Sequence, residues 1–270
     1  MTYQPKISVG IMHVPGAGRD SLVEDILRVL PKDWQVIVLE DPERMGCWPT
    51  AKRAWETRSE ESTHHLVLSD DAVLCDYFPE LLIGAITARP EAVMSLCTRE
   101  KEPVDRAVVE KCSWIHSSDV VYGQAIVIPS KDVQEMLDWV EASVIPKYKH
   151  DDGRVGMWAR VTERGIYTPV PQLVRHAAGK SLLGHRAAQG LGTPLFAGNT
   201  KDVNWDTDAV EDTKILFGSK WGLIDNMPLE DSTESACSKQ HVPLNLKSSS
   251  PFVQDFLDKR KAFIQKLFMV

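Results

Sequence analysis

The sequence has little that would mark a secreted, membrane-spanning or nucleic-acid-coating protein. It has no CxxC pair. Its five cysteines, Cys47, Cys75, Cys97, Cys112 and Cys237, are scattered and odd in number. That pattern indicates neither a disulfide framework nor a zinc ribbon and fits a reducing compartment. No run of about 18 apolar residues occurs, so no membrane span is expected. The opening MTYQPKISVG lacks the basic and then long apolar pattern of a signal peptide, so a cytoplasmic location is expected. There is no cationic excess either: 31 Lys and Arg face 38 Asp and Glu, a net charge of −7. The chain as a whole is therefore not a basic nucleic-acid coat, although a local basic face is compatible with it. No internal repeat or low-complexity tract stands out.

What remains is a soluble globular composition, 270 residues long. That length buries a substantial core in one large domain or one domain with an appendage. The first half alternates strand and helix patterns. ISVGIMHV (7–14) is a β-branched run closed by Pro15-Gly16 and reads as a buried strand. SLVEDILRVLPKDW follows as a helix, with Ser21 and Glu24 in capping-box spacing and Pro31 as its stop. QVIVLE is a second strand ending at Glu40-Asp41, PTAKRAWETRSEE a helix and HLVLSDD a third strand. YFPELLIGAITARP is a helix and AVMSLCT a fourth strand. This βαβαβαβ order predicts an α/β fold with a mostly parallel sheet flanked by helices. Further on, VVYGQAIVIP reads as a strand interrupted by Gly123. SKDVQEMLDWVEASV reads as a helix capped by Ser130, and HDDGRVGMWARVTERG as a helix entered through His150-Asp151-Asp152. IYTPVPQLVRHAAGKSLLGH gives a short strand and a loop. From about 195 to 250 the pattern weakens into an irregular stretch, and PFVQDFLDKRKAFIQKL is an amphipathic C-terminal helix.

Three motifs carry chemistry. In HHLVLSDD an apolar run ends abruptly in Ser69-Asp70-Asp71. In open α/β sheets, ligands sit beyond the carboxyl ends of the strands. Adjacent carboxylates there are hard oxygen ligands suited to Mg²⁺ or Mn²⁺, which bind through few carboxylates plus substrate phosphates. The plain alternative is a solvated turn or a helix cap. His176, delivered by Leu173-Val174 into a small-residue loop, is a candidate to complete a metal shell; a lone histidine after a strand is otherwise structural or exposed. Asp151-Asp152 opens a helix, where a capping role is the default. The functional reading is a general base for an acceptor hydroxyl.

Two partial motifs fail on inspection. AAGKS resembles the end of a phosphate-binding loop, but position 174, five residues before Gly179, is Val. The GAG at 16–18, with Glu40-Asp41 ending the second strand, resembles a dinucleotide fingerprint. Its third glycine would fall at Ser21. An NAD-dependent oxidoreductase therefore stays a runner-up.

The ordered set Ser69-Asp70-Asp71, Gly123-Gln124-Ala125, Asp151-Asp152 and His176 resembles the GT-A class of nucleotide-sugar glycosyltransferases over about residues 5–185. The departure is Ser69, which replaces the first acid of a strict DxD. The resemblance implies a GT-A-like Rossmann-type sheet. It implies a divalent metal, Mn²⁺ or Mg²⁺, on Asp71 and His176, with Asp70 at the ribose or a metal-bound water. It implies a catalytic role for Asp151 or Asp152. His13, Pro15, Gly16, Arg19, Glu40, Asp41, Trp48, Lys52, Ser69 and Asp70 would lie around a nucleotide-sugar donor, first of all a UDP-sugar. Gly123, Gln124, Ala125, Arg175 and Lys180 would lie on the acceptor side. The implied division is a catalytic domain over 1–190, with a donor half of about 1–100 and an acceptor half of about 101–190, and an extension over 191–270 wrapping on the core.

EDPERMGCWPTAKRAWE followed by THHLVLSDD also resembles phage-encoded glycosyltransferases that modify hydroxymethylated pyrimidines in DNA. On that reading the protein works in the host cytoplasm. Arg154, Arg160, Arg175, Lys180 and Arg186 would meet DNA phosphates; the alternative is that they are ordinary solvated charges. A glycan or small-molecule acceptor, a nucleotidyltransferase and a non-catalytic binding module are the competing classes. HVPGAGRD, with Arg19, is only part of the loop that a nucleotidyltransferase carries.

Overall fold

The computed structural model describes residues 4–117, 122–144, 146–178, 182 and 193–212. Its elements run β1 (Ile7–His13), α1 (Asp20–Val29), β2 (Gln35–Glu40), α2 (Cys47–Glu56), β3 (His64–Ser69), β4 (Ala72–Leu74), α3 (Phe78–Ala88), β5 (Val93–Ser95), α4 (Lys101–Glu110), β6 (Trp114–Ser117), β7 (Ala125–Pro129), α5 (Ser130–Ser143), α6 (Asp151–Val161), β8 (Ile166–Pro169), β9 (Val174–His176) and β10 (Ala209–Asp212). Eight strands form one sheet in the order β10-β6-β8-β5-β7-β3-β1-β2, and β4 pairs with β9 in a separate two-stranded sheet. In the main sheet four pairings are parallel and three antiparallel. This is the mostly parallel α/β sheet with flanking helices that the sequence predicts.

Burial on both faces explains the apolar runs. Along β3 the side chains alternate: Leu66 and Leu68 pack with α1 and α3, whereas Val67 faces α2, α5 and α6. β7 does the same, with Val127 on the first face and Ile126 and Ile128 on the second. A strand covered by helices on both sides has no polar face to show, so it reads as continuous apolar sequence. Each fully buried Leu or Ile contributes roughly 1.5–3 kcal/mol of hydrophobic transfer. Val104 and Ala107 of α4 cover the far end of the sheet with Ile115 and Val210.

Several local expectations are corrected. The Ser21–Glu24 capping box does not form: α1 begins at Asp20, Arg19 is at the cap position, and no side chain caps it. Asp20 instead turns to His13 and to the Gly16 N–H. Ser130 is the first residue of α5 rather than its cap, and its hydroxyl is bonded to Ser62, which lies beside Ser8. Pattern reading misses α4, β4, β6 and β10. Residues 193–212 pack on the core, with Trp205 against Trp114 at 5.0 Å, and end in the edge strand β10. The expected C-terminal helix, Lys180 and Arg186 lie outside the described residues.

Candidate active site

The carboxyl ends of β1, β2 and β3 lie side by side, because β1 pairs in parallel with both neighbours. β7 runs the other way, so its amino end meets them: the Ser69 N–H donates to the Gln124 carbonyl at 3.0 Å. The β5 end arrives at the same edge, with the Leu96 N–H on the Ala125 carbonyl at 3.0 Å. Here the chain forms a cleft of about 420 Å³, lined among others by His13, Arg19, Asp41, Ser69, Asp70, Asp71, Arg99, Tyr122, Gly123, Gln124, Asp151, Asp152 and His176. β1 has β2 on one side and β3 on the other, so the cleft lies at the switch point where open α/β sheets bind ligands.

Asp71 and His176 meet although 104 residues separate them in the numbering. The reason is the small second sheet. Ala72 is paired with His176, and the Ala177 N–H donates to the Asp71 carbonyl at 2.8 Å. Asp71 Oδ2 lies 3.2 Å from His176 Nε2. The other ring nitrogen, Nδ1, is 2.5 Å from the Ala177 carbonyl and donates to it, which fixes the ring. Ser69 Oγ donates to Asp71 Oδ1 at 2.8 Å. Burial opposes ionisation of Asp71, but His176, Arg19 and Ser69 outweigh it and hold the carboxyl below its ordinary value. The hydrogen bond to Asp71 raises the His176 imidazole, against its burial.

This pair has the donor chemistry and spacing for a hard divalent cation. Two neighbouring ligands of an octahedral ion, each about 2.1 Å away, are about 3 Å apart. Among the described residues no group of three or more His, Cys, Asp or Glu is gathered to hold a metal. The remaining positions would fall to water and substrate oxygens, as is usual for Mg²⁺.

Asp70 lines the cleft beside Asp71 but is taken up by the loop before α1. Its Oδ2 accepts from the Val14 N–H at 3.0 Å and lies 3.3 Å from His13 Nδ1. Its Oδ1 accepts from Arg19 Nη1 at 2.6 Å. The same nitrogen is 3.0 Å from Asp71 Oδ2. The loop between β1 and α1 is thereby tied to the end of β3. Its turn needs Gly16: the Ala17 N–H reaches back to the Val14 carbonyl, with Pro15 second and Gly16 third at φ +69°, the type II pattern.

Asp151 and Asp152 open α6 into the same cleft. Burial pushes Asp152 up to about 6, against hydrogen bonds from the Gly153 and Gly123 N–H groups. Burial, and then the charge of Asp152, push Asp151 up to about 7. Gly123 is there for space: a Cβ on it would lie 3.0 Å from Asp152 Cβ and 3.5 Å from Asp151 Oδ2. Cys47 connects the two acid groups, since Asp151, Asp152 and Asp71 all act on it; burial first, and then those charges, push its thiol up to about 12. It is therefore no thiolate nucleophile at neutral pH.

Other expected residues lie elsewhere. Asp41 lines the cleft, but its Oδ1 accepts from the Met45 N–H and its Oδ2 from the Thr50 hydroxyl, so it shapes the entry to α2. Trp48 is buried with its indole N–H on Glu141, and Lys52 pairs with the same Glu141; neither lines the cleft. Glu40 is exposed at the end of β2, Pro15 and Gly16 sit on the turn outside the lining, and Ala125 is buried in β7. Arg175 is exposed and stacks over Phe196 at 5.3 Å. As the neighbour of His176 on a strand it faces away from the cleft. Arg154 cannot belong to a basic rim: it is 2% exposed, its guanidinium donates to the Tyr148 carbonyl, and it lies over Trp48.

Sequence reasoning missed Arg99 and Tyr122. The Arg99 guanidinium lies 4.5 Å from the Tyr122 ring centroid, and both line the cleft. The rule that found Asp71 would have found Arg99, four residues beyond the carboxyl end of β5.

No protein-family model matches the chain, and no curated protein matches it. Among solved structures, one similar to it is the mannosyltransferase PcManGT from Pyrobaculum calidifontis in complex with GDP-Man and Mn²⁺. The two are 14% identical, with a TM-score of 0.47; the match covers 67% of this chain and 59% of that one.

Proposed function

We propose that this protein is a metal-dependent glycosyltransferase that moves a sugar from a nucleotide-sugar donor to an acceptor hydroxyl. One observation carries the reading. A single cleft at the carboxyl edge of the sheet holds a carboxylate–imidazole pair, Asp71 and His176, and a second pair of carboxylates, Asp151 and Asp152. A metal held by Asp71 and His176 would supply charge neutralisation to a departing nucleoside diphosphate. The chain's own residues do the rest. Arg99, stacked on Tyr122 in the cleft, is a fixed cation for phosphate or sugar oxygens. Asp151, with its carboxyl raised to about 7, is matched to taking a proton from a hydroxyl near neutral pH. That is its role if the reaction inverts; if it retains, the same carboxylate orients the sugar. Asp152, anchored on the Gly153 N–H at 2.7 Å, keeps the pair in place.

A UDP-sugar is the first donor to test. For the acceptor, a glycan or small molecule is tested beside hydroxymethylated DNA, because Arg154 is buried and Arg175 faces away from the cleft, which removes two residues from the proposed phosphate-binding rim. The experiment is donor consumption and transfer with a panel of UDP- and GDP-sugars, with and without Mn²⁺. Free glycans and hydroxymethylated duplex DNA are the two acceptor arms. Mn²⁺-dependent loss of one donor supports the reading. If no donor is consumed while a nucleoside triphosphate or NAD(P)H is, the protein is a nucleotidyltransferase or an oxidoreductase.

A further inference from the structure

The cleft contains a built-in cation. Arg19 Nη1 is 2.6 Å from Asp70 Oδ1 and 3.0 Å from Asp71 Oδ2. The second of these oxygens is also the one that lies 3.2 Å from His176 Nε2. The side chains of Arg19, Asp70, Asp71 and His176 are only 13%, 4%, 12% and 13% exposed. The guanidinium lies between the two carboxylates, within ion-pair reach of both. A metal on Asp71 Oδ2 and His176 Nε2 would share its oxygen with the guanidinium. Two cations on one carboxylate oxygen repel each other, and the guanidinium is the one on a jointed side chain.

We propose that Arg19 is an exchangeable counter-ion: it holds the Asp70–Asp71 pair until a divalent metal binds, and on displacement it binds the donor's diphosphate. This rests on the glycosyltransferase reading and adds a prediction about order and coupling. Three features support it. Arg19 stands at the cap position of α1, where no side chain caps the helix; the first N–H groups and the dipole of a helix N-terminus favour an anion. A guanidinium that leaves Asp71 therefore moves where phosphate oxygens are already favoured. Asp70 can release it, because the Val14 N–H and His13 Nδ1 remain on its other oxygen. A planar fork also suits a diphosphate as well as it suits a carboxylate.

Coupling follows by linkage. A diphosphate that draws Arg19 away leaves Asp71 short of a counter-ion, so the metal binds better; the metal must then strengthen the diphosphate by the same factor.

The test is Mn²⁺ binding, read by electron paramagnetic resonance of the free ion on the whole protein, with and without nucleoside diphosphate. In the wild type, diphosphate is expected to tighten Mn²⁺ at least tenfold. Arg19→Met, similar in length and uncharged, is expected to bind Mn²⁺ at least tenfold more tightly than wild type when no nucleotide is present, and to lose most of the coupling. Arg19→Gln keeps an N–H donor for Asp70 and serves if the Met variant does not fold; circular dichroism decides which is used. If the folded variant binds Mn²⁺ no better than wild type, Arg19 is a fixed structural tie and the proposal falls. The transferase reading then still stands, provided wild type binds Mn²⁺ with nucleotide. If no Mn²⁺ binds to wild type with nucleotide or to either variant, the metal assignment and the proposal fall together.

Discussion

Replacing Asp151 by Asn should stabilise the protein while removing its proposed chemistry. The reasoning starts from the carboxyl, which burial and then the charge of Asp152 raise to about 7. Asn has nearly the same shape and no charge. An acid raised in the folded state holds its proton there after the unfolded chain has released it. The sign follows: between the ordinary carboxylate range near 4 and about 7, the folded state binds more protons than the unfolded state, so stability falls as pH rises. At about 1.36 kcal/mol per pH unit the ceiling is ~4 kcal/mol. The Asp151 side chain is only half-buried and lines the cleft, and its neighbour titrates in the same range. Water screening and that sharing reduce the expected figure to about 1–2 kcal/mol. Below the ordinary range the Asp is protonated in both states and the variant gains nothing.

Urea denaturation of wild type and Asp151→Asn across pH 4–8 measures this directly. The expected curve shows near-equality at pH 4 and an advantage for Asn that grows to about 1–2 kcal/mol at pH 8. In wild type, turnover rises around pH 7 as Asp151 loses its proton; in the variant turnover is lost or reduced by about a hundredfold or more. A variant equally stable or less stable at pH 8, with no pH trend, would refute the idea that the carboxylate is held against its own solvation. Gain of stability with unchanged turnover would keep the electrostatics and remove Asp151 from the mechanism.

Three more outcomes are expected. Asp71→Ala should lower metal-dependent turnover by about a hundredfold or more with an unchanged circular dichroism spectrum; full turnover with metal present sinks its assignment as a ligand. Gly123→Ala puts a methyl 3.0 Å from Asp152 Cβ; it should cut turnover about tenfold by displacing the acid pair and cost about 1 kcal/mol of stability, and equal turnover means the loop yields without moving the acids. Gly84→Ala builds a Cβ 2.7 Å from Trp205 Nε1, whose ring is pinned on Trp114; overpacking should cost about 1–3 kcal/mol in a denaturation curve, and a neutral result shows that the 193–212 segment is not held tightly at this point.

The sheet was legible where one period dominated. Strands β1, β2 and β3 show as apolar runs and α1, α3 and α5 as helices, because each element's burial pattern repeats along its own length. Direction was not legible. An apolar run such as AIVIP looks the same whichever way the chain crosses the sheet, so the antiparallel placement of β7 between β3 and β5 leaves no mark in the sequence. β4 and β9 are three residues each, too short for any period, yet they bring His176 to Asp71. The nearness of those two residues was reached through a resemblance, not through the pattern. Trp48 shows the opposite difficulty. An indole in a motif-like stretch reads as a binding residue, and only its burial against Glu141 and Arg154 shows it to be core.

Two acids at the end of a buried strand make physical sense once their partners are separated. Asp70 and Asp71 form the turn between β3 and β4, and the two carboxylates take different partners there. Asp70 turns back into the sheet edge, where the Val14 N–H, His13 and Arg19 take up its oxygens; it closes the β1–α1 loop. Asp71 turns into the cleft, where Arg19 and His176 share one of its oxygens. Neither role can be moved to the other residue. Asp70 has no oxygen left for a ligand without giving up a loop contact, and Asp71 contributes only one Ser69 bond and a shared oxygen to the frame. On the proposed function the pair therefore splits the work of a site: one carboxylate fixes the geometry, and the other meets the metal.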